Sequence, residues 1–112
     1  MMFSCLAAAS FGQATTSSMS GRVEDEQNEP LPGTTVIAIH EPSGTRYGTV
    51  TNRQGTYQLE GMRTGGPYRI EFSYVGYRTA IFTGISLKLA ETYVCDAKLK
   101  ESAELDEVVV IG

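Results

Sequence analysis

The sequence predicts an all-β protein, a seven-stranded sandwich of two sheets with a flexible C-terminal tail. Three observations carry that expectation. From Met19 onward, β-prone runs are broken by Gly, Pro or Asn at intervals of about ten residues, the turn spacing of an antiparallel sandwich. Several runs alternate apolar and polar side chains, as a strand with one wet face does. No segment holds an apolar period of 3.6 residues, so no helix is expected.

Taken in order, residues 1–14 form a short apolar run that ends on Gly12 and Ala14, small residues at the −3 and −1 positions of a cut after Ala14. That is the pattern of the end of a secretory signal peptide, although its basic leading region is missing. Residues 15–18 are a polar linker. The first strand is expected over 20–24, before the acidic turn Asp25-Glu26-Gln27-Asn28-Glu29. Pro30-Leu31-Pro32-Gly33 feeds a strand over 35–40, and Pro42-Ser43-Gly44 turns the chain into 47–51. Asn52-Arg53-Gln54-Gly55 then leads to 56–59, and Gly65-Gly66-Pro67 is a turn before 68–75. In that strand Tyr68, Ile70, Phe72 and Tyr74 alternate with Arg69, Glu71 and Ser73, which gives one buried face. Gly76 ends it, and strands over 77–82 and 92–100 complete the domain, 19–100. In the last strand Tyr93, Cys95, Ala97 and Leu99 face one way, and Asp96, Lys98 and Lys100 the other.

The expected core is Val23, Val36, Ala38, Val50, Tyr57, Leu59, Ile70, Phe72, Ile81, Tyr93 and Leu99. Ile37 and Ile39 fall on the face opposite Val36 and Ala38. Either their strand is central, or this outer face meets loops or another domain. The chain is 41% hydrophobic and 20% charged, which is ordinary for a globular domain. A net charge of −4, with 9 scattered basic residues, excludes nucleic acid as a partner and disfavours an anionic membrane surface. Removal of residues 1–14 takes Cys5 away and leaves Cys95 alone. The domain is then held by its core, and Cys95, beside Asp96, is a small buried hydrophobe.

The residues carry no set for catalysis. His40 is the sole histidine and lies on a strand between Ile39 and Glu41, without the nucleophile and acid of a triad. The acidic turn at 24–29 lacks the alternating ligands and central glycine of a calcium loop, and reads as a solvated turn. No phosphate-binding glycine loop occurs. No cofactor and no metal are expected, and the chain is read as a non-enzyme.

The tail is more informative. Leu105, Asp106, Glu107, Val108, Val109, Val110 and Ile111 set an acidic pair before four β-branched residues, behind the polar spacer 101–104. Such a segment is strand-prone. Without a partner it aggregates or pairs with another protein. It also reads as an edge strand of this domain, or as the first strand of a plug beyond it.

The string G-x-V (Gly21, Val23), PLPG-x-x-V (Pro30 to Val36), T-N-x-x-G-x-Y-x-L (Thr51 to Leu59) and FSYVGY (Phe72 to Tyr77) closely resembles the carboxypeptidase-regulatory-like domain. That family is a transthyretin-like, seven-stranded Greek-key β-sandwich. The resemblance covers about 19–100. It implies the N-terminal domain of a TonB-dependent outer-membrane receptor of the SusC/RagA-like kind. In those receptors L-D-E-V-V-V-x-G comes after the domain, and 101–112 is similar to that linker and TonB box. The resemblance therefore implies a non-catalytic extension at the periplasmic face of the outer membrane. Residues Leu105 to Ile111 would be captured by the TonB C-terminal domain through strand addition. The further partners implied are the receptor's own plug and barrel and a partner surface lipoprotein. A second reading is a carbohydrate- or ligand-binding sandwich that uses some of its six tyrosines.

Overall fold

A computed structural model describes residues 15–102 and 108–111 of the chain. Among the described residues the strands are β1 (Ser17–Glu24), β2 (Thr35–His40), β3 (Thr45–Val50), β4 (Thr56–Met62), β5 (Gly65–Ser73), β6 (Thr79–Leu87), β7 (Thr92–Val94), β8 (Ala97–Lys98) and β9 (Val108–Ile111). They form two sheets, one in the order β4-β1-β7 with β8 also on β1, the other β3-β2-β5-β6-β9. The expected all-β sandwich is what the chain forms.

The register obeys the side-chain alternation. β2 pairs antiparallel with β3 on one side and β5 on the other, so Val36 and Ala38 sit beside Phe72 and Ile70. All four are fully buried. Phe72 is the centre of the core, with Tyr57 and Phe82 edge-on to it at ring distances of 5.6 Å each. Met19 and Val23 from β1, Met62 from β4, Tyr68 from β5 and Leu99 close the space between the sheets with almost no exposure. Ile37 and Ile39 are half-buried on the outer face of an interior strand. Across from them on β5 are Glu71 and Arg69, which bond each other at 2.9 Å.

The motif residues build turns. Thr51 Oγ1 donates to the Leu31 carbonyl (2.6 Å) and accepts the Thr34 amide (2.9 Å), and the Thr34 hydroxyl also reaches Leu31 O (2.9 Å). This buried set ties the Pro30–Gly33 loop to the end of β3. Asn52 Oδ1 accepts the Gln54 and Thr56 amides and the Thr56 hydroxyl, which shapes the β3–β4 loop. At Gly55, with φ +77, a Cβ would lie 2.7 Å from Val23 O, so both conformation and space call for glycine.

Several expectations change. β1 starts at Ser17, inside the expected linker, because Met19 is a core residue and the Ser17 hydroxyl bonds Lys88 O. The expected turn Gly65-Gly66-Pro67 belongs to β5, whose pairing with β6 slips between Gly65 and Tyr68 around the proline. Tyr74 lies beyond that strand and is half-buried. β6 begins at Thr79 and runs on to Leu87, with a bulge at Gly84 (φ +73) between the Tyr68↔Ile85 and Ile70↔Phe82 pairs. The expected strand 92–100 is two short strands broken at Cys95-Asp96.

Two expected core residues are on the surface. Val50 is 59% exposed because it shares the outward parity of Arg46 and Gly48 on an edge strand. Tyr93 is 39% exposed because all of β7 lies at the rim, before the break that turns Cys95, Ala97 and Leu99 inward.

Candidate site for strand addition

The chain leaves β8 along the segment that precedes β6. Arg78 N donates to Lys100 O (2.8 Å), Ser102 N donates to Gly76 O (3.0 Å), and Tyr77 and Glu101 form an antiparallel bridge. A few residues later the direction reverses. β9 runs parallel to β6 in the register Thr79↔Val108, Ala80↔Val109, Ile81↔Val110 and Phe82↔Ile111. Val108, Val109, Val110 and Ile111 are thus brought together as the last strand of the larger sheet. Leu105, Asp106 and Glu107 lie outside the described residues.

The receiving edge has a firm base. Ala80 and Ile81 are 4% and 5% exposed, and β6 is paired along its other side to β5. Val110 by contrast is 64% exposed, so this side chain adds little burial. Backbone pairing, the bond pattern of strand addition, carries the contact there. Four consecutive β-branched residues are legible in the sequence; the acceptor strand is not. The strand expected there stops at Phe82, and nothing in its composition marks one edge as open.

The other candidates serve the fold. Asp25 Oδ1 accepts the Gln27 and Glu29 amides (2.8 and 3.0 Å), so this carboxylate closes its own turn. Among the described residues no group of three His, Cys, Asp or Glu side chains is placed to hold a metal ion. His40 Nδ1 lies 2.7 Å from Ser43 Oγ, which in turn is 2.8 Å from Thr45 Oγ1, and the imidazole meets Tyr68 edge-on at 5.1 Å. The sequence neighbours of His40 offer no nucleophile. The hydroxyl three residues on is brought within bonding distance by the β2–β3 turn, where Ser43 also accepts the Thr45 amide (3.3 Å). Burial pushes the Cys95 thiol up to about 11, against a lowering contact with Tyr57, so it stays protonated and unreactive near neutrality. Of the tyrosines, Tyr57 and Tyr68 are core residues. Tyr74 and Tyr77, 5.7 Å apart, line an open groove of about 370 Å³ with Gly33, Thr35 and Thr79.

Comparison with known proteins gives a consistent family and fold. The model of the carboxypeptidase regulatory-like domain matches residues 18–100. The TonB-dependent receptor P39 of Formosa agariphila is 36% identical over 97 residues, 86% of this chain but 8% of the receptor. Among solved structures, the TIE protein of Bacillus anthracis superposes with a TM-score of 0.64 at 21% identity, over 78% of this chain and 17% of that one. Hydroxyquinol 1,2-dioxygenase from Pseudomonas putida also reaches 0.64, at 8% identity, over 80% of this chain and 58% of the enzyme's. At such identities these two likenesses are of fold alone.

Proposed function

The chain belongs to the carboxypeptidase regulatory-like domain family, and from that premise we propose that it is a non-catalytic N-terminal domain of a TonB-dependent outer-membrane receptor. The observation that carries this reading is the 36% identity to such a receptor across 86% of the chain. The sandwich stands at the periplasmic face of the outer membrane as a spacer and interaction module, next to the receptor's plug and barrel. Leu105 to Ile111 is the segment that engages the TonB C-terminal domain. Its acidic pair and β-branched run support this role, since strand addition draws affinity from backbone bonds and register from alternate side chains.

Titration of the isotope-labelled chain with the purified TonB C-terminal domain tests the assignment. Backbone signals of residues 106–111 should shift selectively. A saturating excess of TonB that leaves them in place refutes the tail as a TonB site.

A further inference from the structure

Resting on that reading, we infer that TonB does not strip the tail from the sandwich. Its strand adds to the outer edge of β9 while β9 stays paired to β6, extending the five-stranded sheet by one.

A sheet edge left open is a template for another strand unless charge, proline, a bulge or brevity protects it. β3 carries Arg46 and Gly48; β4 carries Glu60 and Gly61; β7 is three residues long. β9, Val-Val-Val-Ile, is also short at four residues, but it carries no charge and no proline, and its pairing with β6 runs without a bulge. One of its edges is taken up by Thr79–Phe82, and in a strand successive residues aim their backbone groups to opposite edges. Half of its backbone groups therefore serve β6 and half face outward.

Order within the tail points the same way. Its pairing with β6 begins at Val108, with only five residues between it and Ser102, which is itself bonded to Gly76. A spacer this short keeps the tail at a high local concentration beside β6. The entropy of ordering it is met within the chain, before any partner arrives, and a pre-ordered strand binds better than a loose one. The 64% exposure of Val110 leaves that side chain available to an incoming strand.

Linkage gives the test a sign. If TonB binds the docked tail, it must strengthen docking; if it binds the released tail, it must weaken it. Amide hydrogen exchange at Thr79–Phe82 reads docking, and backbone shifts at Val108–Ile111 read contact, both on the full chain with the TonB C-terminal domain as probe. The expected result is that the tail signals shift while protection at Thr79–Phe82 rises, by about fivefold or more at saturation. A shift of the tail with falling or unchanged protection overturns in-place addition and leaves the TonB assignment intact. Tail signals that ignore TonB remove the partner and overturn both. Tail signals that move with chain concentration alone make a second copy the occupant, which also overturns the inference.

Discussion

Replacing Gly21 by Ala should cost this domain a large part of its stability. Gly21 lies on β1 where the chain passes under the break between β7 and β8. A Cβ there would fall 2.0 Å from the Cys95 carbonyl oxygen, 2.7 Å from its carbon and 2.9 Å from the Tyr57 hydroxyl, all below the 3.0 Å that real Cβ contacts respect. Two of the three obstacles are backbone, so rotating a side chain gives no relief. To make room, the Cys95 peptide must retreat by about 1 Å, and it is anchored on two sides. Its N–H donates to Ser20 O (2.8 Å), and its carbonyl accepts the Tyr57 hydroxyl (2.5 Å). Overpacking of a tight core costs about 1–3 kcal/mol, and losing the Tyr57 bond adds about 0.5–1.5 kcal/mol. The expected loss is about 2–4 kcal/mol, or roughly 10–30 °C in Tm for a domain of this size. Urea unfolding monitored by far-UV circular dichroism measures it. Gly48→Ala is the control, because there a Cβ meets its nearest atom, Val36 O, at an ordinary 3.7 Å. That variant should change stability by less than about 0.5 kcal/mol. A Gly21→Ala variant as stable as Gly48→Ala refutes the close approach. The double variant with Tyr57→Phe should recover little, since the carbonyl remains in the way.

Buried polar groups give two further expected outcomes. Thr51→Val keeps the shape of a side chain that is 4% exposed but strands the fully buried Thr34 amide; it should lower the urea midpoint by the equivalent of about 1–3 kcal/mol with an unchanged m-value. Alkaline pH should also destabilise the fold. Burial raises Cys95 from 9.0 to about 11 and also raises Tyr57 above 10.0, so the native chain holds protons that the unfolded chain releases. Stability is then level below pH 9 and falls as pH rises towards 11, with a slope approaching about 1.4 kcal/mol per pH unit for each group. Urea midpoints at pH 8 and pH 10.5 give the sign, and a flat profile contradicts it.

Where local pattern and tertiary place agree, the sequence can be read directly. β2 has its expected bounds, 35–40, because it is an interior strand between clear turns, and the alternation of Tyr68, Ile70 and Phe72 puts all three inside. Position within the sheet is less legible. Val50 has the β-branched side chain of a core residue, but its neighbours of like parity, Arg46 and Gly48, already face out. Tyr93 continues the parity of Cys95 only if the strand is unbroken, and the Arg22 amide bonding Asp96 Oδ1 (2.8 Å) marks the place where it is not. β6 reaches Leu87, past its expected end at Phe82, because a bulge at Gly84 lets the pairing resume at Ile85. At the candidate site the tail's composition is legible, whereas its parallel partner depends on how the chain returns past Gly76, a long-range fact.

The place of β1 has a consequence for how the chain comes to be made. β1 lies in the middle of its sheet, with β4 on one side and the last strands of that sheet, β7 and β8, on the other. Ser18 and Thr92, 74 positions apart, share a hydroxyl bond at 2.8 Å. During synthesis β1 has only β4 to lean on until residues beyond 92 emerge, and its open side is an exposed template in the meantime. A topology closed by its two ends is slow to form. Synthesis that stops before Thr92 yields a half-sheet and not a smaller domain.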